Sequence, residues 1–409
     1  MRCSPSAGTA PLCCSARTPV LEGEAHLPQF VDRPWLRARH YDDDVRVAMD
    51  EQIFAIQSYG GISRLFAELA RQFANDRIPE IEILPIHAPI INRYILDDPA
   101  LAKALDASRA RNEWTALVRY LSRISTKTSC DVVHNTFYLP HGLAPMGGAK
   151  RIVTIHDMIP ELRPDTRRRL DFVTLKRRYV AKADHIICVS EATRSDLLKV
   201  YGPIQAPISV VHHGVDARFT PDAPPLATLP ERYLLFVGNR SQYKDAGVLF
   251  RAFAALGADR DVRLVCIGGG AFTRKETALL QQLGIADRVM QTQLTDDGIA
   301  SAYANALVFI FPSHFEGFGL PALEAMACGV PVVLARATSL PEVGAEAAAY
   351  FEPGDAVALA GILRDLLADE HARSDLVARG LRRAAFFTWE RTAQLTAEVY
   401  QAASPAAVA

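Results

Sequence analysis

The chain has 409 residues, 49% of them hydrophobic and 22% charged, with a formal net charge of −1 at pH 7. That length supports roughly two to three domains with cores of their own, and the near-neutral charge gives no overall bias towards nucleic acid. No apolar run approaches the roughly 20 residues of a membrane span, and seven scattered cysteines argue against a disulfide framework or structural zinc and point to a reducing cytoplasm.

Residues 1–40 hold Pro, Ser, Ala and Arg without periodicity, and their apolar pieces are too broken for a secretory core. They read as a disordered extension or as sequence ahead of the true start. Asp42-Asp43-Asp44 follows, before the first strand, and reads as a solvated charge run rather than a metal site. From residue 45 strands and helices alternate. Val45–Met49 leads to a turn at Gly60-Gly61, after which Ile62, Leu65, Phe66, Leu69, Ala70 and Phe73 recur at helical spacing. Ile81–Ile86, Val132–Asn135, Arg151–Ile155 and His185–Val189 read as short buried strands, with helices over 166–183 and 191–201. His134-Asn135 and His156 stand at strand ends, where open parallel sheets bind ligands. Asp157 is placed to orient His156 or to cap the next turn. Ser190 is a candidate N-cap.

Arg163–Lys182 carries eight basic residues, at 163, 167, 168, 169, 176, 177, 178 and 182, against Asp165 and Asp171. Such a face is solvated surface, or a patch attracted to an anionic leaflet at about 1 kcal/mol per residue. The proline-rich stretch Pro203–Pro230 marks a change of domain. A second series begins with strand Tyr233–Gly238. It continues with helix 246–256, strand Val262–Ile267, helix 274–283, strand Val289–Gln291 and helix 297–305. The loop after the first of these strands offers Asn239, Arg240 and Lys244, fixed cations suited to a diphosphate. Cys266-Ile-Gly-Gly-Gly270 is a strand followed by a glycine run, by itself a weak signal. This alternation implies parallel sheets covered on both faces.

The most specific segment is Phe309-Ile-Phe-Pro-Ser-His-Phe-Glu-Gly-Phe-Gly-Leu-Pro-Ala-Leu-Glu324-Ala-Met-Ala-Cys-Gly-Val-Pro-Val-Val333. It reads as strand, glycine loop, a helix opened by Pro321, turn and strand, with Glu316 in the loop and Glu324 about one helical turn past Pro321. Gly317 and Gly319 let backbone come close to an anion, and the helix N-terminus favours one. A carboxylate on that helix can accept bonds from sugar hydroxyls, so the combination suggests a sugar nucleotide.

The whole pattern resembles the signature of the family 4 glycosyltransferases, retaining enzymes of the GT-B fold, and the resemblance covers about residues 45–402. It implies an α/β architecture of two Rossmann-like domains facing each other across a cleft. These are an acceptor-side domain over 41–225 and a nucleotide-sugar domain over 226–388, with helix 389–402 crossing back to the first. It also implies a basic pair on the diphosphate. Lys244 matches the usual lysine, and Arg240 stands one residue later than the usual arginine. Glu316, Gly317, Phe318, Gly319, Leu320, Glu324 and Leu294 would meet the nucleotide sugar. The residues alone leave Gly60-Gly61 open between a tight turn and a phosphate approach, and the family's similar glycine pair favours function. The family also places a histidine where His156 stands, beside donor sugar and acceptor. His213 replaces the asparagine usual in the Asn-Gly-Val-Asp linker.

The resemblance, greatest to the polysaccharide and O-antigen mannosyltransferase branch, implies a retaining transferase moving a hexose, with mannose from GDP-mannose the first choice, to a hydroxyl of a glycan or lipid-linked acceptor. The nucleotide sugar is then a substrate, with no cofactor or metal needed, and the protein is cytoplasmic, with Arg163–Lys182 a candidate contact with the inner face of the membrane. Two other classes share the scaffold: a sugar-nucleotide epimerase or hydrolase, and a non-catalytic sugar-nucleotide sensor.

Overall fold

The computed structural model describes residues 44–75, 77–112, 115–116, 130–144, 147–163, 172–240, 242–257 and 261–404. The sequence readings on residues 1–40, Asp42, Asp43, Asp165, Arg167, Arg168, Arg169 and Asp171 lie outside them.

Two six-stranded parallel sheets organise the chain. The first contains β1 (Val45–Met49), β2 (Ile81–Ile83), β5 (Val132–Asn135), β6 (Lys150–Ile155), β7 (His185–Cys188) and β8 (Ile208–Val210), in the order β2-β1-β5-β6-β7-β8. A small pair, β3 (Pro89–Ile90) and β4 (Ser108–Arg109), lies apart from it. The second sheet contains β9 (Tyr233–Val237), β10 (Arg263–Ile267), β11 (Val289–Thr292), β12 (Val308–Phe311), β13 (Val332–Ala335) and β14 (Ala349–Phe351), in the order β11-β10-β9-β12-β13-β14. Its four central strands are wholly or almost wholly buried, hence their unbroken apolar runs such as Tyr233-Leu-Leu-Phe-Val.

Both orders place a switch point inside the sheet. The chain leaves β9 towards β10 and β11 on one side and returns on the other at β12, which pairs with β9 through Val308↔Leu234 and Phe309↔Leu235. In the first sheet the equivalent place is between β1 and β5. Loops leaving the carboxyl ends of strands flanking a switch point diverge and open a crevice for ligand.

The helices that matter for the site are α1 (Gly61–Ala74), α2 (Phe172–Lys182), α3 (Glu191–Tyr201), α4 (Ala246–Ala255), α5 (Arg274–Gln282), α6 (Asp296–Ala304) and α7 (Leu320–Ala327). They are followed by α8 (Ala356–Ala368), α9 (Glu370–Ala384) and α10 (Trp389–Ala403). The last helix packs on α1, and its Trp389, Ala393, Ala397 and Tyr400 lie in the core built on the first sheet. Tyr400 Oη sits 2.7 Å from His134 Nδ1, and Thr154 Oγ1 is 2.7 Å from the other ring nitrogen. Burial pushes the His134 pKa down to about 3. His134 therefore ties the last helix to the sheet and does not face an acceptor.

The basic stretch is divided by its packing. Lys176 is buried, donating to Glu161 at 3.0 Å and to the Asp157 carbonyl at 2.8 Å, while Arg177, Arg178 and Lys182 are exposed. Among the described residues no helix is long and apolar enough to cross a membrane. Cys188, Cys266 and Cys328 are buried free thiols, as expected of small apolar side chains within strands and helices.

Candidate nucleotide-sugar site

The second sheet's switch point carries an ion pair. Lys244 closes the loop after β9 and Glu316 stands in the loop after β12, and Lys244 Nζ donates directly to Glu316 Oε1. Their side chains are only 12% and 11% exposed, and Phe311 lies under the ammonium at 4.8 Å. Each loop is held in place. The His314 amide donates to the Tyr243 carbonyl at 2.8 Å, and its Nε2 lies 2.9 Å from Asp245 Oδ2, so His314 fixes the residues on both sides of Lys244. Asp245 itself sits in left-handed backbone at φ 42° and caps α4 through Val248 N. On the other loop Thr338 Oγ1 accepts the Glu316 amide at 2.9 Å, and Ser339 Oγ donates to the carbonyls of Glu316 and Phe318.

Arg240, the other cation expected at this place, is engaged within its own domain. Its Nε bonds Glu276 at 2.7 Å, one terminal nitrogen donates to the Gly268 carbonyl at 2.7 Å, and the other donates to Gly270 and Ala271. The guanidinium also stacks on Phe272 at 4.7 Å, and the side chain is 3% exposed. Gly268, Gly269 and Gly270 all have positive φ, and the turn they make leaves the Gly268, Gly270 and Ala271 carbonyls in need of donors. Arg240 provides them. The loop position was legible in the sequence, but the use of its arginine was not.

Glu324 faces the opposite domain. It lies on α7, 8% exposed, and Arg64 of α1 reaches it at 2.7 Å. The other terminal nitrogen of Arg64 bonds Asp296 at 2.6 Å and Tyr94 Oη at 3.1 Å. Burial raises the Glu324 pKa above the ordinary carboxylate value, with Arg64 opposing the shift. Burial alone would lower that of Arg64, but Glu324, Tyr94 and Asp296 together raise it. Arg64 stands just past the Gly60-Gly61 turn and carries no signal of its own in the sequence. Its spacing to Glu68 looks like an ordinary helical i,i+4 pair, yet Glu68 turns to Arg71 and Arg64 crosses the cleft.

The glycines act differently from one another. Gly319 has φ 109° at the start of α7, a conformation that favours glycine. Gly317 is needed for close approach: a Cβ there would collide with the His156 carbonyl oxygen. The Gly317 carbonyl accepts from Ser190 Oγ at 2.6 Å and Thr193 Oγ1 at 3.0 Å. What Gly317 admits is thus backbone of the first domain rather than an anion. Gly61 begins α1 against Leu320, its would-be Cβ 3.4 Å from Leu320 Cδ1, so the Gly60-Gly61 turn meets the start of α7. Phe318 is buried among His213, His212 and Phe387, with ring centroids 5.0, 5.8 and 5.8 Å away. Its side chain therefore cannot meet a ligand, and only its backbone remains for that use. Leu294 is half-buried beside Gly298, just ahead of α6.

His156 is 8% exposed, and its ring has no hydrogen-bonding neighbour among the described residues beyond a contact with the Thr136 backbone. Burial pushes its pKa well below 6.5, with His213, His134 and Lys176 adding to the effect. A neutral, desolvated imidazole with open donor and acceptor sites is a costly feature unless something polar is meant to meet it. Asp157 caps the following turn through Ile159 N at 3.0 Å. Ser190 does cap α3, accepting Thr193 N at 3.0 Å. Glu342 braces the same helix from the other domain, accepting the amides of Glu191 and Ala192 and lying 2.6 Å from His212 Nε2. Asp44 is exposed, and among the described residues no group of three or more His, Cys, Asp or Glu stands close enough to hold a metal ion.

Residues 222–383 match the family model for glycosyl transferases group 1, and residues 59–219 that for glycosyltransferase family 4. The chain is 30% identical over 282 residues to the O-antigen chain mannosyltransferase B of Escherichia coli, covering 65% of this chain and 72% of the relative. It is 35% identical over 397 residues to the D-inositol 3-phosphate glycosyltransferase of Salinispora tropica, covering 83% and 80%. Among solved structures, Anabaena HepE in complex with UDP and glucose superposes with a TM-score of 0.68 at 16% identity, over 88% of this chain and all of that one, and so supports the GT-B fold. Two parallel sheets with facing switch points, family models spanning both and this degree of identity lead to one conclusion: the chain belongs to the family 4 glycosyltransferases.

Proposed function

We propose that the protein is a retaining hexosyltransferase that moves mannose from GDP-mannose to a hydroxyl of a glycan or lipid-linked acceptor. The observation that carries the reading is the nearly dry Lys244–Glu316 pair at the switch point of the second sheet. A buried ion pair is weak evidence for stability, but its two groups match the two ends of a donor's reacting bond. On donor binding Lys244 exchanges Glu316 for the diphosphate, and Glu316 turns to the hydroxyls of the sugar. Glu324 accepts the ribose hydroxyls, Leu320 and the Gly319 backbone line the diphosphate, and Gly60-Gly61 closes over it from the first domain. Leu294 lies at the base.

In the transfer step the bond between the sugar's anomeric carbon and the diphosphate oxygen breaks, and its electron pair stays with the phosphate. The acceptor oxygen bonds the same face of the anomeric carbon, and its proton passes to the departing phosphate. Lys244 stabilises the charge that grows on the leaving group. His156, neutral and with a strongly lowered basicity, hydrogen-bonds sugar or acceptor and positions them rather than taking a proton.

The mannose assignment is supported by the E. coli relative's name. The Salinispora relative, named for D-inositol 3-phosphate, favours a phosphorylated polyol as a second acceptor class. The test is incubation with GDP-mannose or UDP-glucose and an alkyl mannoside, with the anomeric configuration of the product read by NMR. Transfer of mannose with retained configuration is expected. Consumption of UDP-glucose alone contradicts the donor, an inverted product contradicts the mechanism, and an epimerised nucleotide sugar without transfer replaces the reading.

A further inference from the structure

With Arg240 committed to the Gly268–Ala271 turn, Lys244 is the one member of the expected pair left at the switch point. The opposite wall of the cleft supplies another buried cation. The Arg64 side chain is 10% exposed and lies on Glu324, a carboxylate four residues past Leu320 and so about 6 Å along the helix from its start. The Gly60-Gly61 turn that carries Arg64 abuts Leu320 itself. Glu324 and Asp296 hold the guanidinium in a place where a ribose would need one of those carboxylates.

Resting on the donor-site reading above, we propose that Arg64 is a catalytic residue: displaced from Glu324 by the ribose, its guanidinium turns to the diphosphate and shares the leaving-group charge with Lys244. The bond changes are those of the transfer already described, and Arg64 adds charge and hydrogen bonds without exchanging a proton. Because the cation arrives from the first domain, full charge stabilisation requires both domains to be engaged on the donor. A donor bound to the second domain alone meets Lys244 without Arg64, so the arrangement also restrains release of the sugar while the cleft is open. The planar guanidinium suits this exchange, since it can bridge two oxygens of either a carboxylate or a phosphate.

The experiment is calorimetric titration of the full chain with GDP and guanosine and with UDP and uridine, giving the ratio of diphosphate to nucleoside affinity for the base that wild type accepts. Arg64→Ala is expected to reduce that ratio at least tenfold, with nucleoside affinity equal or higher because Glu324 is uncovered. If Arg64 only masks Glu324, diphosphate and nucleoside affinities rise together and the ratio is unchanged, which overturns the inference. Should the Ala variant not fold, a crystal structure of the wild type with the accepted diphosphate decides. A guanidinium about 3 Å from a phosphate oxygen supports the inference, and one still seated on Glu324 overturns it. Wild type that binds neither GDP nor UDP sinks the donor-site reading first and this inference with it, whereas binding with an unchanged ratio sinks the inference alone.

Discussion

The two buried ion pairs of the cleft differ in where their partners live. Lys244 and Glu316 both belong to the second domain, on loops pinned together by His314, so this pair persists whatever the first domain does. Arg64 and Glu324 belong to different domains, so their contact lasts only while the two are engaged. Both carboxylates are covered by cations at the positions assigned to substrate hydroxyls. Under the proposed function, the difference means that the second domain would hold the diphosphate by itself and the first would add to it from outside.

The sharpest way to break this comparison is through the two cations of the β9 loop. Lys244→Ala should lower the rate of nucleoside diphosphate release from the donor roughly 100- to 1,000-fold. Arg240→Ala should instead cost about 3 kcal/mol of stability, because it takes the guanidinium from one Glu276 oxygen and three carbonyls, leaving Glu276 only its Thr273 amide. Its folded fraction should still bind nucleoside diphosphate. Chemical denaturation alongside turnover separates the two, and weakened nucleotide binding in folded Arg240→Ala would restore Arg240 to the site.

A second test concerns the engagement of the domains. Gly317→Ala places a methyl group against the His156 carbonyl and should destabilise the chain by about 1–3 kcal/mol. If the cleft yields instead of the core, small-angle scattering will report a larger radius of gyration with little loss in melting temperature. An unchanged variant on both measures contradicts the contact.

The smallest effect is a pH dependence at the brace between the domains. Burial alone would raise the Glu342 pKa, but His212 and the amides of Glu191 and Ala192 outweigh it and hold it below the ordinary 4.5. A carboxyl depressed in the folded state stabilises above its unfolded value, and that contribution is lost as the pH falls below about 4.5 through the folded value. Glu342→Gln should therefore cost about 1 kcal/mol at neutral pH and flatten the acid limb of a plot of stability against pH. An acid limb as steep as wild type's would contradict the brace.

The strands were legible because a strand buried on both faces must be an apolar run, and β9 and β12 stand where their runs do. The short pieces β3, β4 and β8 were not, since two or three residues carry no period and β8 lies in a proline-rich stretch. Within the candidate site, Lys244, Glu316, Glu324 and His156 were singled out from strand ends and the long signature, and the fold puts Lys244 beside Glu316. Three features could not be read. Arg240 was taken by carbonyls whose direction depends on three positive-φ glycines, Phe318 by rings from the linker and the segment before α10, and Arg64 by a partner 260 residues away. Spacing along a chain reports neighbours on one element, and each of these depends on how separate elements meet.

The central claim is that Lys244 and Glu324 form a nucleotide-sugar site, and ligand-induced stabilisation tests it most directly. Melting curves of wild type, Lys244→Ala and Glu324→Ala should be recorded with GDP, UDP and ADP and their sugar conjugates. At 100 times its Kd a ligand stabilises the folded state by about 2.7 kcal/mol, so one nucleotide family should raise the wild-type melting temperature by several degrees and neither variant should respond. Equal shifts in wild type and both variants, or no shift with any nucleotide, would contradict the account.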